Sequence, residues 1–247
     1  MENKKQEKNN PVIEINRLQQ CENDGQLHAI LLPLVQYLGA SQYIFLSMVM
    51  DKEDEAHSYR YLIGCRPEWL QVYQHRHWYM NDPYIIYARM NIEPKLGSSI
   101  PLLSAGQSAM VSTARQYGFK SNLIVPTHCR ASSLMGVLHV ANQCEPNEGG
   151  ESSLVMAQPL FRAIAGSLLD LRIAELRRAS ARKFNLNARE LDILCSIKQG
   201  AHAPQIATKF DVSVATIYVL YKKVNEKMGV NRISEAVKLA VIHELID

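Results

Sequence analysis

Two groups of residues in the 247-residue chain have types and spacing that could do chemistry. In the first, Trp69 and Tyr73 are four apart, which on a helix puts both rings on one face. Asp82 follows, directly before Pro83. An indole N–H only donates, a phenol donates or accepts, and an ionised carboxylate only accepts, so such a set can orient a polar molecule inside an apolar pocket. The same residues also read as two core aromatics and an aspartate capping the helix that Pro83 opens. In the second group, Asn187-Ala-Arg-Glu190 spells a capping box, Ser213 precedes an apolar-periodic run, and Lys222, Lys223 and Lys227 lie within that run. Lysines along one helix suit phosphate contact, and equally the solvated face of a plain helical bundle.

The elements that must carry these groups can be read from periodicity and stop signals. Apolar residues from Leu27 to Leu38 recur at helical spacing before Gly39. Strand-like runs follow at Tyr43–Met50 and Tyr59–Gly64, joined by the charged turn Asp51–Ala56. Pro67 opens the short helix that holds Trp69 and Tyr73, and a second helix runs from Pro83 to Met90. Residues 91–101 read as a loop, Ser104–Tyr117 as a helix ending at Gly118. Asn122–Thr127 and Leu134–Ala141 read as strands joined at His128–Ser133. A long helix is expected from Ser152 to about Ala181. These elements predict an α+β fold, an α-β-α sandwich around a mainly antiparallel sheet. Beyond residue 184 no strand signal remains. A capped helix to Gly200, a short helix opened by Pro204, the turn Asp211–Ser213, a longer helix to Gly229 and a last helix over Arg232–Leu245 predict an all-α, four-helix unit with a helix-turn-helix. The expected organisation is a disordered tail over 1–10, a first domain over 11–176, a linker over 177–184 built on the basic RRASARK, and a second domain over 185–247.

Charge agrees with two parts. Residues 171–247 hold 13 Lys+Arg against 8 Asp+Glu, a balance of +5, whereas residues 1–170 balance at −2. Four of the basic residues belong to the linker, so from Phe184 onward the balance is only +1 and charge alone names no partner. Five scattered cysteines without a CxxC argue against a disulfide framework or zinc site and for a reducing, cytoplasmic setting. The polar N-terminus has no signal-peptide core, and no apolar run approaches a membrane span. No metal or other cofactor is expected: His75, His77, His128 and Cys129 lack ligand spacing. There is no G-x-S-x-G for a hydrolase and no acidic cluster for a phosphoacceptor domain.

The residues of the last quarter carry a resemblance. N-A-R-E-L-D-I-L, Q-I-A-T-K-F-D-V-S-V-A-T-I-Y, K-K-V-N-E-K-M-G-V-N-R and S-E-A-V-K-L-A resemble the DNA-binding domain of LuxR-type regulators, with Glu190, Leu194 and Gly200 on hallmark positions. The resemblance implies DNA contacts at Ser213, Thr216, Tyr218, Val219, Lys222 and Lys223. It departs at Ala203 and Gln205, where the family has a polar cap and an acidic residue, and at Tyr218 and Leu220. Upstream, R-P-E-W-L-Q-V-Y-Q-H-R-H-W-Y-M-N-D-P resembles the acyl-homoserine-lactone-binding domain of quorum-sensing regulators, with Trp69, Tyr73 and Asp82 keeping the W-x3-Y-x8-D-P spacing. Y-G-F-K-S-N-L-I-V-P resembles its strand entry, and Ser152–Leu176 falls where its dimerising helix lies.

This implies that Trp69 donates to a lactone carbonyl, Asp82 accepts an amide N–H, and Tyr73 offers its ring and hydroxyl. Tyr61, Met135 and His139 complete the implied ligand set. His139 stands where a small hydroxyl residue is common, and a structural role for it is an equal alternative. Two further departures alter the pocket: the family's second tryptophan, fifteen residues after the aspartate, is Gly97, and a family glycine is Asn122. Trp78 and Tyr79 are candidates to supply the missing ring. The expectation is a homodimeric, bacterial, ligand-responsive regulator on dyad-symmetric double-stranded DNA, with RNA polymerase as a further candidate partner and no membrane. The alternatives are a LuxR-type regulator answering a non-lactone signal or none, and a lactone-processing enzyme.

Overall fold

The structure is a computed structural model that describes residues 10–49, 59–130, 132 and 134–246. The expected turn at Asp51–Ala56 and residues 1–9 of the expected tail lie outside these residues. Asn10, placed in that tail, instead caps a helix by accepting from the Val12 N–H. That helix, α1 (Pro11–Leu18), leads into α2 (Asp24–Tyr37). The chain divides into two compact units: Met1–Cys129 with Leu134–Leu171, and Arg130–Ser133 with Arg172–Asp247.

The first unit is built on five strands: β1 (Gln42–Val49), β2 (Arg60–Gly64), β3 (Lys95–Leu96), β4 (Ser121–His128) and β5 (Leu134–Asn142). Their order is β2-β1-β5-β4-β3, and every pairing is antiparallel. Side chains alternate between the faces of a strand. Register therefore sets Ile44 beside His139, Leu46 beside Val137 and Tyr61 beside Leu46, all on one face. That face packs on α3 (Pro67–His75), α4 (Pro83–Met90) and α5 (Ala105–Gln116) through a core that includes Trp69, Tyr73, Tyr84, Ile85, Met110 and Ala114. Residues 91–101, read as a loop, contain the two-residue edge strand β3 and a 3-10 turn over Gly97–Ser99. Two residues are too short to show alternation, so pairing with β4 alone makes this a strand.

The expected single helix from Ser152 is broken. α6 (Gly150–Met156) and α7 (Gln158–Phe184) meet at Ala157 with a bend of 66°. Pro159 is the cause: lacking an N–H, it cannot bond the carbonyl of Val155 four residues back. α7 then continues to Phe184, so the expected linker 177–184 is its last turns. Residues 160–184 include neither proline nor any glycine but Gly166, and Arg, Ala, Leu and Lys are good helix formers. Among the described residues no single helix is long and apolar enough to cross a membrane.

The second unit holds α8 (Ala188–Lys198), α9 (Ala203–Lys209), α10 (Val214–Met228) and α11 (Ile233–Ile242), the last shorter than the expected Arg232–Leu245 because His243 caps it and Glu244 turns to φ 55°. Both halves of the Asn187–Glu190 capping box form: Asn187 Oδ1 accepts the Glu190 N–H at 2.9 Å, and Glu190 Oε2 accepts the Asn187 N–H at 2.8 Å. Asn187→Ala is expected to lower the stability of this unit by about 1 kcal/mol, measured by chemical denaturation. A loss below a few tenths would mean that water replaces the cap at no cost. Ile193, Ala203, Ile206, Ala207 and Ile217 form a core between α8, α9 and α10. Leu194, Val224, Met228, Ala236 and Ala240 form another with Phe184.

Candidate functional site

In the first unit a cavity of about 50 Å³ lies between the sheet face and α3–α5. Its floor is Ile44, Leu46, Tyr61, Val137 and His139; its other walls are Trp69, Leu70, Tyr73, Asp82, Tyr84, Ile85, Met110 and Ala114. The lining is mostly apolar with a few polar atoms, the composition expected of a site for a small molecule. A cavity of this size holds a few waters, so a longer ligand must push side chains outward.

The polar atoms have definite partners. The Tyr73 hydroxyl donates to Asp82 Oδ2 at 2.7 Å. Asp82 Oδ1 accepts the backbone N–H groups of Tyr84, at 2.7 Å, and Ile85, at 3.4 Å, so the aspartate is also the N-cap of α4. Asp82 is 7% exposed. Burial raises its pKa above the usual carboxylate value, and the Tyr73 hydroxyl and the two amides hold it partly down. Burial and the adjacent Asp82 push the Tyr73 phenol far up, so it stays a neutral donor. The capping and polar-anchor readings of Asp82 are therefore both realised in one side chain. The Tyr73 hydroxyl, implied to serve a ligand carbonyl, is here committed to Asp82.

Trp69 is held by four rings, those of Tyr73, Trp78, Tyr117 and Phe119, with centroids 5.7–5.8 Å away. Its indole N–H has no hydrogen-bond partner among the described residues. His139 stands on β5 with Nε2 2.8 Å from Asn122 Oδ1, and burial lowers its pKa to about 3. The small surface that His139 leaves exposed forms part of the cavity wall. Met135 shares this sheet face but not the lining. It packs in the core two register positions from Val137, opposite Met48.

In the second unit, Asp211 at φ 51° reverses the chain between α9 and α10, and the Val212 N–H bonds the Ala207 carbonyl at 3.0 Å. Ser213 Oγ accepts the Thr216 N–H at 3.1 Å and lies 2.8 Å from its hydroxyl. Ser213 therefore starts α10 as its cap. Ile217, Val224 and Met228 are the buried side of α10. Thr216, Tyr218, Val219, Lys222 and Lys223 form the outer side, with Tyr218 60% and Val219 56% exposed. Two exposed apolar side chains flanked by lysines, on the second helix of a helix-turn-helix, suit base edges and phosphates. Lys227 is a correction: its ammonium is tied to Glu190 Oε2 at 2.7 Å and the Asn185 carbonyl at 2.8 Å.

A family model for the autoinducer binding domain matches residues 23–170, and one for bacterial regulatory proteins of the luxR family matches residues 185–240. The chain belongs to the autoinducer-binding LuxR-type regulators. This is a family of transcription regulators, not of enzymes. No curated protein sequence matches the chain. Among solved structures, the chain is similar to Escherichia coli SdiA, at 15% identity over 96% of this chain and 98% of that one, with a TM-score of 0.65. It is also similar to SdiA in complex with octanoyl-rac-glycerol, at 16% identity over 94% and 93%, with a TM-score of 0.61. The N-acylhomoserine lactone dependent CepR2 of Burkholderia cenocepacia aligns at 13% identity over 64% and 90%, with a TM-score of 0.53. These likenesses are of fold.

In this LuxR-type chain neither Trp78 nor Tyr79 fills the place at Gly97. Trp78 packs behind Trp69 and Tyr73, at 5.7 and 6.4 Å, and Tyr79 pairs with Tyr59 and His77. The ring beside Gly97 is Tyr84, which sequence reasoning missed: a Cβ built on Gly97 would lie 3.0 Å from its hydroxyl and 2.9 Å from Asn122 Cβ. The three positions form one packing unit. A signal for it existed, since losing a large core ring to glycine demands a large partner, and Tyr84 follows Asp82 by two residues. Gln205 explains another departure: it accepts the His202 N–H at 2.8 Å and caps α9 without an acidic charge. Among the described residues no group of His, Cys, Asp or Glu could hold a metal ion.

Proposed function

We propose that the cavity binds an uncharged amphiphilic signal, an acyl-homoserine lactone or a related diffusible molecule. The liganded homodimer then controls transcription from a dyad-symmetric DNA site in the cytoplasm, with RNA polymerase as a further partner. The observation that carries this is the apolar cavity in which the free Trp69 N–H and the Tyr73–Asp82 pair meet. Burial of an acyl chain supplies about 0.8 kcal/mol per CH₂. Because the ligand binds only the folded unit, it raises stability, by about 2.7 kcal/mol at a hundred times Kd. The comparison proteins support the ligand class: one is named as N-acylhomoserine lactone dependent, and another is bound to octanoyl-rac-glycerol. The Tyr84–Gly97 packing favours a second reading, a signal without the lactone ring.

The test is expression of the full chain with and without N-octanoyl homoserine lactone, mass spectrometry of what co-purifies, and DNA binding before and after ligand. Ligand recovered intact together with ligand-dependent DNA binding supports the proposal. Turnover of the ligand, or identical DNA affinity and melting with and without every acyl ligand tried, would overturn it.

On the DNA side, the Lys222→Ala/Lys223→Ala variant is expected to bind DNA roughly tenfold more weakly and to flatten the salt dependence by about 0.9 in log–log slope per lost phosphate contact. Lys222 supports this with a side chain 81% exposed and only a loose 3.9 Å pairing to Glu226. An unchanged slope in a titration from 50 to 200 mM salt would remove both as phosphate contacts.

A further inference from the structure

His139 lines the cavity and contacts both Asn122 and Tyr84. On the central strand β5 it lies between Ile44 of β1 and Ile124 of β4, with the rings of Tyr84 and Phe119 at 5.2 and 5.0 Å. Asn122 decides which imidazole nitrogen carries the proton. Its Nδ2 donates to the Phe119 carbonyl at 3.1 Å, so its Oδ1 faces His139 Nε2, and Nε2 must be the donor of that 2.8 Å bond. A neutral imidazole has one N–H, so Nδ1 is left with a bare lone pair. Burial keeps the ring neutral far below neutral pH, so Nδ1 does not become a donor there. The ring lines the cavity while Asn122 does not, so the bond through Nε2 leads away from it. Nδ1 has no partner among the described residues.

The remaining polar groups of the wall differ in kind. The Asp82 oxygens already accept from Tyr73, Tyr84 and Ile85. The Trp69 N–H and the hydroxyls of Tyr61 and Tyr84 can donate. His139 Nδ1 is thus the uncommitted obligate acceptor of the lining, and leaving it unmet beside a bound ligand costs free energy. A lactone ring brings two oxygens and no donor to such a place. No cation lines the cavity and Asp82 is buried in its wall, which disfavours an anionic head group.

We infer that the signal carries an uncharged hydroxyl on its polar head and that His139 Nδ1 accepts its hydrogen. The ligand class is then an acyl amide or ester of a small alcohol rather than a closed lactone, and His139 with Asn122 sets that preference. The inference rests on reading the cavity as the signal site.

The probes are N-octanoyl-ethanolamine, its O-methyl ether and N-octanoyl homoserine lactone, with binding to the full chain read by calorimetry and melting temperature. The ether keeps chain and amide and removes only the hydroxyl hydrogen. Ethanolamide binding roughly tenfold tighter than both ether and lactone is expected. The preference should survive His139→Gln, whose amide can donate to Asn122 and accept from the ligand, and vanish in His139→Phe. If His139→Phe does not fold, ¹⁵N spectra of the unsubstituted chain decide instead: the Nδ1 resonance should move with ethanolamide and not with ether. Equal binding of alcohol and ether, or a lactone that outcompetes the alcohol, would overturn the inference. Binding of none of the three would overturn the signal-site reading itself.

Discussion

Asp82→Ala is expected to destabilise the first unit by about 2–4 kcal/mol. Loss of the α4 cap accounts for about 1 kcal/mol. The buried Tyr73 hydroxyl, left without its 2.7 Å acceptor, accounts for roughly 1–3 more. Asp82→Asn separates the cap from the charge, because an amide oxygen can still accept from Tyr84 and Ile85. Its effect depends on pH with a definite sign. The folded carboxyl has a raised pKa, so its protonated form contributes stability that is fully present below the unfolded value near 4. That contribution is lost as pH rises through the folded value. Asn does not titrate, so urea denaturation across the acid range should show the wild-type decline missing from the Asn variant. Parallel pH profiles would mean that the carboxylate is not paying a burial penalty. The same variant should weaken the response to amide-bearing signals, and an unchanged dose response would exclude Asp82 as their anchor.

Gly97→Trp, which restores the family residue, is expected to destabilise the first unit by roughly 1–3 kcal/mol or more instead of improving lactone binding. The first carbon of the new side chain would already collide with Asn122 and Tyr84. Adding Tyr84→Ala should return much of the loss, giving a favourable coupling on the order of 1–2 kcal/mol in a double-mutant cycle. The double variant is also the one in which lactone affinity should rise. Additive single losses, with no coupling, would show that Tyr84 does not occupy the tryptophan's place.

The elements were legible where one signal dominates. Asp82-Pro83, Ser213 and the Asn187–Glu190 box mark helix starts through side chains that bond the adjacent backbone, a local event written in adjacent letters. The resemblance implies a ligand role for Met135 and His139, and the two do share one sheet face. Sequence does not say where along that face the cavity ends, and Met135 packs in the core beside the lining. Nor could it foresee that the Tyr73 hydroxyl would turn to Asp82, or that Lys227 would reach back to Glu190, since both bonds depend on distances set by packing. β3 and the kink at Pro159 were missed for opposite reasons. The strand exists only through its neighbour, whereas Pro159 is a local helix breaker present in the sequence itself.

The sheet order also constrains how the chain acquires its cavity. β1 pairs with β5, joining residue 42 to residue 141 and residue 49 to residue 134. Contacts so distant along the chain form slowly, because a large loop must close before they are rewarded. Ile44, Leu46 and Tyr61 are synthesised well before Val137 and His139, yet the five form one floor. A nascent chain ending before β5 has half a pocket with its apolar face uncovered, a species prone to aggregate. The interval between making β1 and seating β5 is therefore the period of greatest vulnerability to proteases and self-association.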